Sequence, residues 1–404
     1  MTKSERQRRE IVKQFYFGGT LSCSDLSAQT KKSIPLTAKL IDELLAAGIV
    51  LEKGFAPSTG GRRPVTYSLK PDVLYILSVA MDQKVTRLAI MDMQNQFVTP
   101  IKKVQLPLQN NTRALEQLVH EIDTFIAESN FSKERIVAVG IGMPGFVDVL
   151  KGVNYSFLLA GGKNIRTIIA ERIGIPVFID NDSSLIALAE LRFGGARDKS
   201  DACVINFGWG VGLGLILQQQ LFRGRNGFAG EFSHIPLFPN SKICSCGKTG
   251  CLETETSLLV ILEKAREGLL QGRTSMLRLE DLDDVELANE RLCHAAQRGD
   301  QFAMELFSET AYNIGRGVAI LIHILNPEIV LLSGRGSTAG FVLQSPIQRA
   351  VNEHCIPRLA AGTTIEISQL GHDAELIGAA CLVMENLDKV SIKNDIWPRM
   401  KTAI

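Results

Sequence analysis

The chain has 404 residues, 45% hydrophobic and 22% charged, a composition typical of folded globular chains and more length than one domain usually takes. No apolar run approaches the roughly 18–20 residues of a membrane span, and the opening MTKSERQRRE lacks a signal-peptide apolar stretch, so the sequence reads as cytoplasmic with no membrane partner. The net charge of +1 hides an asymmetry: residues 1–70 carry twelve Lys or Arg against six Asp or Glu, an excess of +6 that leaves the remainder at −5. A basic module on a mildly acidic body predicts a polyanionic partner for that module, against the plainer reading of a solvated basic end.

In chain order, SERQRREIVKQF places Ile11, Val12 and Phe15 at helical spacing, and GGT breaks it. CSDLSAQT reads as a second short helix capped by Ser24. The third, KKSIPLTAKLIDELLAAGIV, takes Ser33 as cap, Pro35 in its first turn and Gly48 as its stop, with Leu36, Leu40, Ile41 and Leu44 as the buried stripe. Thr37 and Lys39 fall off that stripe near the N-terminus, where a recognition helix meets base edges, and Pro35 and Leu36 lie beside them. IVLEKGF and VTYSL pair as a hairpin around APSTGGRRP, whose glycines allow close backbone approach and project Arg62 and Arg63 towards a minor groove or phosphates. The other reading of that loop is an ordinary linker. The order of elements predicts a winged helix-turn-helix over 1–70, with Pro35, Leu36, Thr37, Lys39, Arg62 and Arg63 as DNA contacts.

After Pro71 the pattern changes. LYILSVAM and RLAIMDM read as adjacent strands, NTRALEQLVHEIDTFIAES as an amphipathic helix, RIVAVGIGMPGFVD as a buried strand and turn, and PVFIDND as a strand entering the helix SSLIALAELRF. The pattern restarts with ACVINFGWGVGLGLIL, helices up to AYNIGRGVAILIHIL, strands EIVLLSG and TTIEISQL, and helix AELIGAACLVME. Two βββαβα-like halves predict two α/β lobes with a cleft between them, 71–190 completed by about 374–404, and 191–373.

Three groups carry chemistry. His234, Cys244, Cys246 and Cys251 form an imidazole-and-three-thiolate set in GEFSHIPLFPNSKICSCGKTGCLE, the makings of one closed, structural zinc site, with a redox pair or chance clustering as the alternatives. Asn181 and Asp182 end a strand where α/β sheets bind ligands; Asp182 can act as a general base and Asn181 can meet sugar hydroxyls, although Asn-Asp is also turn chemistry. Glu231 and Glu253 lie near the predicted metal ligands, so a metal would hold them rigid to bridge polyol hydroxyls. The alternating glycines of FGWGVGLG suit either a phosphate wrap or a tightly packed hairpin.

GIGMPGFVD, IDND, GEFSH, CSCGKTGCLE, NPEIVLLSG and AELIGAA occur in the order found in the ROK family of repressors, open reading frames and sugar kinases, over roughly 74–385. With STGGRRP in the N-terminal module, the chain resembles the family's winged-helix repressor branch, whose members answer to N-acetylglucosamine, xylose or glucose. The resemblance implies an α/β, actin-like, two-lobed sugar-kinase fold behind the winged helix, and a homodimer or tetramer. It also implies zinc on His234, Cys244, Cys246 and Cys251, sugar contacts from Asn181, Asp182, Glu231, His234 and Glu253, and a match of Asp182 to the kinase base. Two departures stand out. Family kinases carry Asp-x-Gly-Gly-Thr on the first hairpin, where this chain has DQKVT, Asp82 to Thr86; Val85 cannot readily take positive φ. The sugar loop reads NYSFLLAGGKN, without the family's tryptophan. The expectation is therefore a repressor released from a pseudo-palindromic operator by a sugar or sugar phosphate in the cleft, with Asp182 a vestigial base and no kinase activity; the alternative is an ATP-dependent hexose or amino-sugar kinase.

Overall fold

A computed structural model describes residues 2–56, 63–239 and 242–390. The N-terminal module runs α1 (Lys3–Gly18), β1 (Leu21–Ser22), α2 (Cys23–Thr30), α3 (Ile34–Ala46), β2 (Val50–Phe55) and β3 (Val65–Leu69), with its three strands ordered β1-β3-β2. This is the predicted winged-helix order. Capping boxes start the first two helices: Thr2 with Glu5, and Ser22 with Asp25. The α2 cap is thus Ser22, not Ser24, because only Ser22 has an acidic residue three positions on to answer its own amide. Ser33 occupies the α3 cap position without capping through its side chain; its carbonyl instead accepts from the Thr37 hydroxyl at 3.1 Å.

That bond corrects the sequence reading of α3. Thr37 is fully buried and faces the module's core with Leu40, Ile41 and Leu44, whereas Leu36 is only half-buried. Thr37 has an apolar methyl beside a hydroxyl that the helix itself satisfies, so it serves as a core residue. Among the other expected DNA contacts, Pro35, Lys39 and Arg63 are exposed, and Arg62 lies outside the described residues.

The body holds two five-stranded sheets. The first is built from β4 (Tyr75–Met81), β5 (Val85–Asp92), β6 (Lys102–Gln105), β7 (Ile136–Met143) and β10 (Val177–Asn181), in the order β10-β7-β4-β5-β6, with α4 (Ala114–Glu128), the short ladder β8 (Val147–Asp148) and β9 (Val153–Asn154), and α5 (Ile165–Ile173) between strands. Then come α6 (Asp182–Phe193) and the second sheet: β11 (Ala202–Phe207), β12 (Val211–Leu217), β13 (Gln220–Phe222), β14 (Ile329–Ser333) and β15 (Thr364–Ile367), in the order β13-β12-β11-β14-β15. Its helices are α7 (Glu253–Thr256), α8 (Leu258–Leu270), α9 (Val285–Gln297), α10 (Gln301–Leu325), α11 (Phe341–His354) and α12 (Pro357–Ala360); α13 (Ala374–Glu385) follows β15.

Counted from its own first strand, each sheet has the order 3-2-1-4-5, and in each the first strand pairs antiparallel with the second and parallel with the fourth. The predicted duplication is therefore present in topology. β4, β5 and β7 are buried throughout, which is why they read as unbroken apolar runs.

The chain divides into two compact units, with Asn181–Gly378 as the second. The division falls before α6, earlier than the expected boundary at 190, because α6 rests on β12: a Cβ on Gly214 would come within 2.3 Å of the Ala187 Cβ. Within the first unit, α1 is fastened to the segment after α13. The buried Arg9 guanidinium donates to the carbonyls of Leu387 at 2.6 Å and Val390 at 2.7 Å, and the Lys13 ammonium donates to that of Glu385 at 2.7 Å. These cations satisfy carbonyls at and beyond the helix C-terminus, where the helix dipole is negative.

Candidate functional site

The four metal-ligand candidates come together as the spacing requires. Their ligand atoms all lie within 4.8 Å of one another, with Cys244 and Cys251 buried, His234 half-buried and Cys246 exposed. The loop is a tight ribbon: the Gly247 amide donates to the Cys244 carbonyl and the Cys244 amide to that of Lys248, both at 2.8 Å. Gly250 has φ +76°, and a Cβ there would come within 2.2 Å of the Phe238 carbonyl oxygen, so this turn admits glycine alone.

Two of these spacings match those about a tetrahedral ion. Two thiolates about 2.3 Å from a tetrahedral zinc stand about 3.8 Å apart, and a thiolate and an imidazole nitrogen about 3.5–3.6 Å. Cys246 Sγ and Cys251 Sγ are 3.7 Å apart, and Cys244 Sγ and His234 Nδ1 are 3.5 Å apart. The donor set can hold a metal ion with all four positions filled by the protein. The scattered cysteines differ in kind: Cys203, Cys293, Cys355 and Cys381 are buried, and burial pushes the Cys203 thiol up to about 12 and Cys293 up to about 11, which leaves them inert.

Acids gather around this loop. His234 turns Nδ1 to Cys244 and Nε2 to Glu231, whose carboxylate is 3.7 Å away. Glu253 opens α7 with its carboxylate 3.7 Å from Cys244 Sγ. Burial raises the Glu231 carboxyl pKa; His234 works against that shift, and the charge of Glu253 adds to it. Two acids that feel each other gain when polyol hydroxyls supply donors to both.

Asp182 reaches the same face by another route. Asn181 ends β10 and caps α6, its Oδ1 accepting from the amides of Ser183 at 3.0 Å and Ser184 at 3.2 Å, which commits part of its side chain to the helix. Asp182 Oδ1 accepts from the Ser183 amide at 2.8 Å, and Oδ2 accepts from the Asn206 amide nitrogen at 3.3 Å; Asn206 also donates to the Ser183 hydroxyl at 3.1 Å. Asn206 went unnoticed in the sequence, where the one available signal was an amide inside the otherwise apolar strand ACVINF.

The glycine run explains how the two groups meet. A Cβ on Gly210 would lie 2.4 Å from Glu253 Oε1, and one on Gly212 would lie 2.0 Å from Ser183 Oγ. Gly210, in the turn before β12, thus leaves room for the Glu253 carboxylate, and Gly212, on β12, leaves room for the first turn of α6. Of the two roles open in the sequence, close packing is the one these contacts support.

The first hairpin is closed on itself. Asp82 Oδ1 accepts from the amides of both Lys84 and Val85 at 2.7 Å, and the Asp82 amide donates to the Val85 carbonyl at 3.0 Å. Val85 is buried. The Lys84 and Val85 amides are thereby engaged within the turn.

The class follows from this fold and site: the ROK family profile matches residues 77–386, and the chain belongs to the ROK family. It is 29% identical to the xylose repressor of Caldicellulosiruptor bescii over 385 residues, which span 93% of this chain and 95% of the relative. It is 32% identical to the glucokinase of Halalkalibacterium halodurans over 277 residues, 68% of this chain and 84% of the relative. Among solved structures, a ROK family transcriptional regulator homologous to the Escherichia coli Mlc protein superposes with a TM-score of 0.76 at 24% identity, covering 98% of this chain and 99% of its own. The family's actin-like sugar-kinase fold and the preceding winged helix are both present. Among the described residues no helix is long and apolar enough to cross a membrane.

Proposed function

We propose that the protein is a sugar-responsive transcriptional repressor of the cytoplasm. Its winged-helix modules, paired in a homodimer or tetramer, bind a pseudo-palindromic operator, and a sugar or sugar phosphate releases them. The observation that carries this reading is the full-length likeness to ROK regulators, winged helix included, in a chain whose phosphate hairpin is closed. Glu231, Glu253, His234 and Asp182, with Asn181 at their edge, are the sugar contacts. Zinc on His234, Cys244, Cys246 and Cys251 is structural and holds His234 and the Glu253 turn in place. Arg62, Arg63 and Lys39 meet DNA, with Pro35 and Leu36 beside them. A ligand acts only through different affinity for the DNA-binding and released states. Titration of xylose, glucose, N-acetylglucosamine and their phosphates into the protein–operator complex tests this; an unchanged operator affinity with every one of them refutes the inducer model.

A second reading, an ATP-dependent hexose kinase, draws on the intact Asp182, held by Asn206 in a posture suited to deprotonating a hydroxyl. Sugar-dependent ADP release abolished by Asp182→Asn would establish it.

A further inference from the structure

Burial of Thr37 takes away one of the α3 residues expected to read bases, and the surface of the module indicates its replacement. Among the described residues up to 70, two large apolar side chains are exposed, Ile34 at 58% and Phe55 at 69%. A single exposed isoleucine on a surface would need no explanation. These two, however, fall on the two elements a winged helix presents to DNA: the first residue of α3 and the last residue of β2. The same module carries Lys31, Lys39, Lys53 and Arg63, which are exposed and hold no ion pair among the described residues, whereas Arg8 and Lys32 are tied to Glu43 and Glu10. At the start of α3 the Cys23 thiol donates to the Ile34 carbonyl at 3.8 Å, a weak bond.

We infer that Ile34 is a specificity residue that reads the C5-methyl group of a thymine in the major groove, with Phe55 as an apolar contact to the sugar wall that carries no base preference. The inference rests on the DNA-binding reading above. A phosphate needs a donor or a cation, which Ile34 does not have; the base-edge feature that fits a branched alkyl group is the thymine methyl, the apolar mark that separates T from C in the major groove. The module's exposed lysines supply charge attraction to any sequence, and Ile34 adds discrimination.

The test uses the full chain and the tightest duplex selected from a random pool. Each thymine is replaced in turn by deoxyuridine, which lacks only the methyl group. At one thymine in each half-site the replacement should weaken binding about fourfold for the wild type, the value of one buried methyl-sized group. Ile34→Val should keep that loss. Ile34→Ala should bind the thymine and deoxyuridine duplexes equally, with an unchanged salt slope. Phe55→Ala should weaken every duplex by the same factor. If no replacement distinguishes the wild type from Ile34→Ala, the inference is wrong while DNA binding stands. If the pool yields no enriched duplex, the DNA-binding reading fails and this inference falls with it.

Discussion

Asn206 shows how much one amide can organise. It joins Asp182 to the Ser183 hydroxyl and holds the carboxylate against the first turn of α6. Asn206→Ala leaves Asp182 its bonds from the Ser183 amide and hydroxyl but removes the Asn206 donor, so sugar affinity should fall by a few-fold. Glu253→Gln should do more, about 10- to 100-fold, because a charged acceptor is lost at a site of fixed geometry; calorimetric titration with the inducing sugar measures both. Cys246→Ser belongs at this scale too. Metal content by mass spectrometry should drop below one ion per chain, and sugar response should weaken with it. Full response in the metal-depleted variant would separate the loop from the sugar site.

Elements meet here through bare backbone and caps. Gly378 lies near the start of α13, where a Cβ would come within 2.0 Å of the Leu185 carbonyl oxygen of α6. Gly378→Ala should therefore cost about 1–3 kcal/mol in chemical denaturation; an unchanged midpoint would show that the two helices part easily. The long helix α10 is capped by Asp300, which also receives the Ser275 hydroxyl at 3.0 Å and the Met276 amide. Burial raises the Asp300 carboxyl, but the amides of Ala303 and Met276 and the Ser275 hydroxyl outweigh it, and the net shift is downward. A lowered carboxyl pKa stabilises the fold above the ordinary aspartate range, and that contribution is lost as pH falls through the folded value. Asp300→Ala should cost about 1 kcal/mol at neutral pH, and the difference from the wild type should shrink in acid. Thermal melts at both ends of that range check the sign.

At the scale of the whole molecule, a basic module that meets DNA must leave a salt signature. Arg62→Ala combined with Arg63→Ala should weaken operator binding and make the slope of affinity against salt shallower by about two, one for each phosphate deprived of its guanidinium. An unchanged slope would mark the loop as a bystander. The Arg9 and Lys13 clamps join α1 to carbonyls more than 370 positions away, so the winged-helix module is built into the first unit through contacts that helical periodicity cannot foretell.

Local physics was legible in the chain itself. Helical spacing, alternation in strands, the cysteine spacing with its upstream histidine and the basic excess of the first 70 residues each depend on neighbours a few residues apart, and together they determined the α/β class and the grouping of one histidine with three cysteines, while the resemblance to a family supplied the regulatory branch. Contacts between distant segments had to be decided by the tertiary structure. A side chain off the apolar stripe can still be buried, as Thr37 is, when its hydroxyl is satisfied within its own helix. A glycine run can mean phosphate or packing until the structure places Glu253 and Ser183 over it. Asp182 and Asn206 find each other across 24 positions only because β10 ends, α6 begins and β11 runs alongside. Burial and partnership depend on what the rest of the chain brings up against a residue, and no short window of sequence contains that information.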